Sequence, residues 1–242
     1  MTAPRTKALL LAGGFGTRLR PLTLTVPKCL VEIGDQPLLS WWLDALERAN
    51  IGTALVNTHH LRDAVQSYIA RENKNRSLDL IESYEPELLG SAGTVHANRD
   101  FADDADIILV IYADNLSTLD LGALLNFHKD HADPFTMALF HTPFPKQCGI
   151  ATLDDAARIT KFEEKPENPP SDLANAGIYA IDASAWRDIA DMDVFDFGFD
   201  VLPTFVGKMR GYAFDGYHRD IGTPEALDQA RLDADTLRQA FA

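Results

Sequence analysis

The chain has few cysteines and no long apolar segment, and each of these absences excludes a class of protein. Cys29 and Cys148 are its only cysteines, so a disulfide framework is excluded and a reducing cytoplasm is the expected compartment. No apolar run approaches the ~20 residues of a membrane span, and residues 1–7 contain no apolar signal core. We find no internal repeat, and we expect a single domain over residues 1–242.

Positive charge is also scarce. The 22 lysines and arginines are outnumbered by 36 aspartates and glutamates, which gives a formal net charge of −14. Such an acidic protein is a poor general binder of nucleic acid or of an anionic membrane. Any binding of phosphate must therefore depend on a local cluster of cations.

Predicted strands and helices alternate along the chain. Short apolar runs predict strands, and apolar residues three or four positions apart predict helices. The alternation indicates right-handed βαβ units and an α/β fold with a mainly parallel central sheet flanked by helices. The predicted strands are Lys7–Ala12, Ala54–Thr58, Leu78–Ser83, Asp106–Ala113 and Thr136–His141, with short strands over 149–179; the predicted helices are Pro37–Ala49, Leu61–Arg71, one from Ala92, Leu119–His131 and one over about 224–241.

The first predicted strand ends in a glycine-rich turn. Glycine lets backbone N–H groups approach a phosphate, and Arg18 and Lys28 add positive charge beside the turn. A P-loop is excluded because no Gly-Lys-Ser/Thr step follows, and GxGxxG is excluded because Leu19 stands at the third glycine position. The turn predicts a nucleoside triphosphate site formed by Leu11, Ala12, Gly13, Gly14, Gly16, Thr17, Arg18 and Lys28.

The sequence GGFGTRLRPLT, followed by Pro27-Lys28, is more specific than a glycine turn alone. With LLGSAGT, FEEKP, NAGIYAI and DIGTPEAL, which follow in order to about residue 230, it makes the chain resemble the sugar-1-phosphate nucleotidyltransferases. The resemblance implies a Rossmann-like fold and an enzyme that joins an NTP and a sugar 1-phosphate, giving an NDP-sugar and pyrophosphate. It also implies that Arg18, Lys28, Asp114 and Lys165 are catalytic.

Two aspartates are candidate metal ligands. Asp114 follows the buried strand that ends at Ala113, where a carboxylate is either a helix cap or the partner of a cation. Asp220 precedes Thr223 and Pro224, which suit the start of the last helix and leave Asp220 available for another role. The resemblance implies that both aspartates hold Mg²⁺, which prefers oxygen ligands. Ala113 departs from the family, which usually has glycine there.

Four residues are assigned to the sugar phosphate by the resemblance. Lys165 would bind the phosphate and Glu164 the sugar hydroxyls, since a carboxylate accepts hydrogen bonds in fixed directions. Gly149 would let the backbone approach the sugar, and Asn175 would bind a hydroxyl. Taken alone, the charged run at Glu164 and Lys165 would be a solvated surface, and Asn175 would belong to a turn.

A second glycine-rich segment is assigned to the base and ribose of the nucleotide. It resembles the family's LGTAGA, with serine in place of threonine, and the family uses an acid just before it. Spacing does not decide whether that acid is Glu85 or Glu87. The residues of the segment are Gly90, Ser91, Ala92 and Gly93.

Several substrates and one non-enzymatic role remain open at this point. The motifs are most similar to guanylyltransferases for mannose or manno-heptose 1-phosphate, so GTP is favoured. A uridylyltransferase for N-acetylmuramic acid 1-phosphate, a cytidylyltransferase for phosphocholine-like acceptors and a regulatory nucleotide-sugar sensor are the alternatives. A single predicted helix follows DIGTPE, which favours a compact form without a left-handed β-helix. The oligomeric state is open and includes a homo-oligomer.

Four further residues, three histidines and one cysteine, need an explanation. His59 and His60 are neighbours that point to opposite faces of an extended segment, so we expect a structural or substrate-edge role and no shared metal. Cys29 follows Lys28, so nearby cations would lower its pKa, although packing is the favoured role. His218 stands where many relatives have an aromatic residue, and the sequence does not give its role.

Overall fold

The computed structural model describes residues 4–241, which are divided between two compact units. The first unit contains residues 4–7, 89–110 and 122–215, and the second contains residues 8–88, 111–121 and 216–241. Within this part of the chain, no helix is both long enough and apolar enough to cross a membrane.

Strands and helices alternate over much of the chain. The strands are β1 (Thr6–Leu11), β2 (Glu32–Ile33), β3 (Gln36–Pro37), β4 (Thr53–Thr58), β5 (Asp79–Tyr84), β6 (Ile107–Tyr112), β7 (Asn115–Ser117), β8 (Phe135–His141), β9 (Gly149–Leu153), β10 (Ile159–Glu164), β11 (Leu173–Asp182), β12 (Met209–Ala213) and β13 (His218–Asp220). The helices are α1 (Leu38–Arg48), α2 (Arg62–Asn75), α3 (Gly90–Ala97), α4 (Leu121–Lys129), α5 (Ala183–Ala190), α6 (Leu202–Phe205) and α7 (Pro224–Phe241).

Three parallel strands lie side by side in the second unit, in the order β1, β4, β5. Leu9 of β1 is paired with Leu55 of β4, and both side chains are buried. Helix α1 buries Leu39, Leu43 and Leu46, whose spacing places them on one face. The carboxyl ends of the three strands meet at one edge, which is where ligands bind in parallel sheets.

A two-stranded sheet in the same unit pairs distant parts of the sequence. Strands β7 and β13 are antiparallel, with Asn115 opposite Asp220. The indole N–H of the buried Trp42 donates to the carbonyl oxygen of Asn115 at 2.8 Å, which fixes the segment after β6. An apolar core supports this sheet and contains Leu19, Val31, Ile33, Leu38, Trp41, Leu116, Ile221, Leu227, Ala230, Ala234 and Leu237.

The first unit is rich in antiparallel pairs. Strand β11 pairs with β8 and β9 in the antiparallel sense, β9 pairs with β10 in the same way, and β8 pairs with β12 in parallel. The register between β11 and β8 shifts between Asn175 and Tyr179. The buried ring of Tyr179 stacks on Phe197, with ring centroids 5.5 Å apart. This packing anchors a π-helical segment, Phe197–Val201.

The predicted elements are present, and their ends are shifted by a few residues. The short strands predicted over 149–179 are β9, β10 and β11. Strands β2, β3, β7, β12 and β13 and helices α5 and α6 were not predicted. Strands β2, β3, β7 and β13 have only two or three residues each, which is too few for a clear apolar period. Thr223 caps α7 as predicted, since its Oγ1 accepts the N–H of Ala226 at 3.2 Å.

We expect Trp42→Phe to lower the free energy of unfolding by about 1–3 kcal/mol, because the carbonyl of Asn115 loses its buried indole donor. Urea denaturation would measure the change. Leu232→Ala is the control, because Leu232 is 78% exposed, and it should change the same quantity by less than about 0.5 kcal/mol. Equal losses in the two variants would contradict a supporting role for the Trp42 hydrogen bond.

Candidate active site

The two-stranded sheet brings the two candidate metal ligands together. Asp114 immediately precedes β7, and Asp220 ends β13 opposite Asn115. The N–H of Ile221 donates to the carbonyl oxygen of Asp114 at 3.1 Å, which extends the pairing beyond the strand ends. Two residues that are distant in the sequence are therefore neighbours.

Lys28 binds both of these carboxylates. Its Nζ lies 2.8 Å from Oδ2 of Asp114 and 3.3 Å from Oδ1 of Asp220. Lys28 is only 6% exposed, so the two contacts offset the cost of removing its charge from water. Nη2 of Arg18 binds the other oxygen of Asp220 at 3.2 Å. We call these four residues the charged cluster.

The carboxylates of the charged cluster fit a divalent cation. The side chains of Asp114 and Asp220 are 40% and 51% exposed, so a ligand can reach them from solvent. Mg²⁺ is usually bound by one or two carboxylates together with phosphate oxygens and water. Within residues 4–241, no group of three or more His, Cys, Asp or Glu residues is arranged to hold a metal.

The glycine-rich turn has a conformation that requires glycine. Gly16 has φ +59°, and a Cβ there would lie 2.9 Å from Cγ2 of Thr23. The hydroxyl of Thr23 donates to the carbonyl of Gly16 at 2.7 Å and holds the turn in this shape. Leu11 ends β1 before the turn, and Thr17 begins the 3-10 turn that carries Arg18.

Only part of the turn has free backbone donors. The N–H groups of Ala12 and Gly13 donate to Oδ1 of Asn57, at 2.6 and 3.1 Å. The expectation of bare N–H groups is therefore wrong for these two residues, because a side chain from the neighbouring strand β4 already binds them. The N–H groups of Gly14 and Gly16 make no hydrogen bond within the described residues, so they are available to a phosphate.

The two acids left open by the sequence differ in their surroundings. Glu85 is 1% exposed and accepts a hydrogen bond from Nδ2 of Asn57 at 2.9 Å, whereas Glu87 is exposed. The carbonyl oxygen of Glu85 also lies 2.8 Å from Nδ1 of His59. Because a carbonyl only accepts, His59 carries its proton on Nδ1. Glu85 is thus held in a fixed position, and Glu87 is not.

The adjacent histidines hold the glycine-rich turn. The ring of Phe15 packs edge-on against His59 at 5.0 Å and lies 5.7 Å from His60. Nε2 of His60 binds the carbonyl oxygen of Thr23 at 2.7 Å. The expected structural role therefore matches their contacts.

The first unit holds the residues assigned to the sugar phosphate. A Cβ on Gly149 would lie 2.5 Å from Cζ of Phe162 and 2.6 Å from Oε2 of Glu164, so only glycine fits beside these two side chains. Burial, with a smaller effect of Asp196, raises the pKa of Glu164. Lys165 has φ +49° and its Nζ lies 3.8 Å from Oε1 of Glu164. A left-handed lysine is a strained conformation of the kind found at functional sites.

Asn175 is already engaged by its own strand. Its Nδ2 donates to the hydroxyl oxygen of Tyr179 at 2.8 Å, and its Oδ1 accepts the N–H of Gly177 at 2.9 Å. These bonds fix the register shift of β11. The proposed contact with a sugar hydroxyl would have to use the remaining hydrogen-bonding capacity of the amide.

The segment assigned to the base is packed against the π-helical segment. Gly90 has φ +79°, and a Cβ there would lie 2.4 Å from the carbonyl oxygen of Phe195. Oγ of Ser91 accepts the N–H of Phe197 at 2.9 Å and donates to Asp196 at 3.3 Å. The buried Ala92 donates its N–H to Phe195 at 3.0 Å, and Gly93 lies next to Leu89 within α3.

The family model described as nucleotidyl transferase matches residues 7–236. The chain belongs to the nucleotidyltransferase family. Enzymes of this family act on an NTP and a sugar 1-phosphate and typically use a divalent metal. The charged cluster, with its glycine-rich turn, lies in the matched region.

Named relatives of this nucleotidyltransferase are similar along most of its length. It is 32% identical over 223 residues to the mannose-1-phosphate guanylyltransferase catalytic subunit beta of Drosophila melanogaster, covering 91% of this chain and 60% of the relative. It is 30% identical over 224 residues to the mannose-1-phosphate guanyltransferase of Emericella nidulans, covering 90% and 61%. The chain thus spans about three fifths of the length of these relatives.

A solved structure confirms the predicted fold class. A Bacillus anthracis protein provisionally assigned as a glucose-1-phosphate thymidylyltransferase, solved in complex with sucrose, superimposes with a TM-score of 0.84 and covers 95% of both chains. The two sequences are 23% identical, so the likeness concerns the fold. This nucleotidyltransferase therefore has the expected α/β, Rossmann-like fold.

The sequence left the roles of Cys29 and His218 uncertain; Cys29 is buried in the structure, and His218 is partly buried. Burial raises the pKa of Cys29 to about 12, and the nearby Asp114 adds to the effect. The alternative of a lowered pKa is therefore wrong, because desolvation of the thiolate outweighs any nearby cation. Burial lowers the pKa of His218 to about 4, against the opposing influence of Asp220, so this imidazole is neutral at pH 7.

Asn57, Thr23 and Asp196 are the site residues that sequence reasoning missed. Asn57 lies near the carboxyl end of β4, beside the strand that leads into the glycine-rich turn. Adjacent parallel strands end at the same edge, so a polar residue at that position was a signal that could have been used. Thr23 is the last residue of the GGFGTRLRPLT motif, but the motif alone did not assign it a role. Asp196 lies outside the predicted elements, where spacing carries no such signal.

We expect one fast-reacting thiol per chain at pH 8. Cys148 is partly exposed, whereas Cys29 is buried with a pKa near 12, so Cys29 should react with an aromatic disulfide at least about 100-fold more slowly. The absorbance of the released thiolate, followed over time, would count the fast-reacting and slow-reacting thiols. In denaturant, both thiols should react rapidly. Two fast thiols in the native protein would contradict the buried, protonated state of Cys29.

Proposed function

We propose that this nucleotidyltransferase transfers a guanylyl group from GTP to a mannose-type or manno-heptose-type 1-phosphate and releases pyrophosphate. The observation that supports the transfer most directly is the charged cluster, in which Lys28 is held between Asp114 and Asp220 beside the glycine-rich turn. The choice of GTP and a manno-configured sugar rests on the names of the relatives. These relatives are longer than the chain, so the activity of this shorter sequence is itself part of the proposal.

The chemistry brings two anions together, so its main requirement is charge neutralisation and alignment. An oxygen of the sugar phosphate forms a bond to the α-phosphorus of the NTP while the bond to pyrophosphate breaks. Arg18 would bind the departing phosphates, and Lys28 would stabilise charge at the α-phosphate. No general base is needed, because a sugar phosphate is already ionised near neutral pH.

Asp114 and Asp220 would hold Mg²⁺. Bound there, the ion would add positive charge at the phosphate oxygens. Both carboxylates already contact one cation, the ammonium of Lys28, which shows that they can share a positive partner.

In the first unit, Lys165 would bind the phosphate of the acceptor and Glu164 its hydroxyls. The exposed ammonium of Lys165 and the carboxylate of Glu164 beside it support these roles. Gly149 would allow close approach of the sugar, and Asn175 would contribute through its remaining hydrogen-bonding capacity. We further propose that residues 1–242 work as one domain in a reducing cytoplasm.

We expect pyrophosphate release from one NTP and one sugar 1-phosphate when the wild-type protein is assayed with Mg²⁺. The assay would combine GTP, UTP, CTP, ATP and dTTP with the 1-phosphates of mannose, manno-heptose, glucose, N-acetylglucosamine and N-acetylmuramic acid. Chelation of the metal should abolish the reaction, and added Mg²⁺ should restore it.

Other outcomes of this assay would replace the proposal. A productive UTP and N-acetylmuramic acid 1-phosphate pair would overturn the guanylyl assignment. Activity with CTP and phosphocholine alone would overturn the sugar assignment. A protein that binds an NTP but releases no pyrophosphate with any acceptor would be a sensor and not an enzyme.

We expect Arg18→Ala and Asp114→Ala each to lower kcat by about 100-fold or more, because each removes a charge that stabilises the transition state. Steady-state kinetics with the productive pair would measure the loss. Arg231→Ala and Asp228→Ala are the matched controls, since both residues lie on the surface of α7 and pair with each other at 3.5 Å. Near-normal turnover in folded Arg18→Ala and Asp114→Ala would contradict the site assignment.

A further inference from the structure

Asn57 contacts two parts of the nucleotide site at once. It is 4% exposed and lies near the end of β4, between β1 and β5. Its Oδ1 accepts the N–H groups of Ala12 and Gly13 in the glycine-rich turn, and its Nδ2 donates to Oε1 of Glu85 at 2.9 Å. One buried amide thus joins the turn to the acid that follows β5.

Only an amide side chain suits this position. The turn presents donors and Glu85 presents an acceptor, so the residue between them must accept on one side and donate on the other. An aspartate would still accept the N–H groups of the turn, but it would place a second carboxylate within 2.9 Å of Glu85. An apolar residue would leave the buried donors of Ala12 and Gly13 without this acceptor.

The contact also places the free donors of the turn. Asn57 fixes the backbone of Ala12 and Gly13. The positions of the N–H groups of Gly14 and Gly16, which follow in the chain, therefore depend on Asn57. The turn and β4 lie close together here, since a Cβ on Gly13 would be 3.0 Å from Nδ2 of Asn57. Movement of Asn57 would therefore move both the turn and Glu85.

We propose that Asn57 is a positioning residue that sets the NTP affinity of this protein by fixing the glycine-rich turn relative to Glu85. The inference rests on the proposed function, because it takes the turn and Glu85 to contact the nucleotide. It predicts an effect on the nucleotide and none on the acceptor sugar phosphate.

The first test is Asn57→Asp. The dissociation constant of GTP with Mg²⁺, measured by calorimetry, should rise about 10- to 100-fold, as expected for the loss of a buried hydrogen bond to a charged group. The KM of the sugar 1-phosphate should stay within about twofold of the wild-type value, since the hydrogen bonds described above join Asn57 to the glycine-rich turn and to Glu85. An unchanged GTP affinity, or an equal rise in both constants, would overturn the inference.

A double variant separates positioning from a general loss of stability. In Asn57→Asp/Glu85→Gln the hydrogen bond is restored with its direction reversed, because the glutamine amide donates to the aspartate. The double variant should bind GTP within about twofold of Glu85→Gln alone. A double variant that binds GTP more weakly than Glu85→Gln by tenfold would overturn the inference.

Asn73→Asp is the matched control. Asn73 also donates to and accepts from one partner, the backbone of Leu80, at 2.9 and 2.8 Å, but it lies on α2 away from the turn. The GTP affinity of Asn73→Asp should match that of the wild type, and a loss of affinity equal to that of Asn57→Asp would overturn the inference.

If the wild type binds GTP without turnover, the proposed function fails, but the role of Asn57 in GTP binding can still be measured. If it binds no NTP, both fail.

Discussion

The ion pairs of Lys28 with Asp114 and Asp220 are the interaction on which the rest of the charged cluster depends. A lysine that is 6% exposed is stable only with such partners, and the two aspartates are adjacent only because β7 pairs with β13. Trp42 and the apolar core beneath this sheet hold that pairing in place. An acidic chain thus holds two basic side chains, Lys28 and Arg18, in place by pairing them with two carboxylates.

The glycine-rich turn is held in shape by hydrogen bonds from within the protein. Thr23 and Asn57 hold the glycine-rich turn through its carbonyl and N–H groups, and His60 binds the carbonyl oxygen of Thr23. Fixed donors lose little conformational entropy when they bind a phosphate, which favours both affinity and transition-state stabilisation. The groups that we propose to contact the nucleotide belong to the motif, and their rigidity comes from Thr23 within it and from His60 and Asn57 outside it.

This division explains how far the sequence alone could lead. The strands around Leu9 and Leu55 have clear apolar runs, and the motif residues Arg18, Lys28, Asp114 and Asp220 were predicted and lie together. Strand β13 has three residues and no apolar period, so its pairing with β7 depends on tertiary contacts that local pattern does not contain. For the same reason the sequence could not show that Asn57 binds two of the turn's N–H groups, or that burial outweighs charge at Cys29.

The pairing of β7 with β13 also fixes when the cluster can exist. The glycine-rich turn, Lys28 and Asp114 are all synthesised before Asp220. A chain emerging from the ribosome can fold its earlier strands before its later ones are made. The nascent protein therefore carries Lys28 with only one of its two carboxylates until Asp220 has been made. The complete charged cluster forms only once β13 has paired with β7.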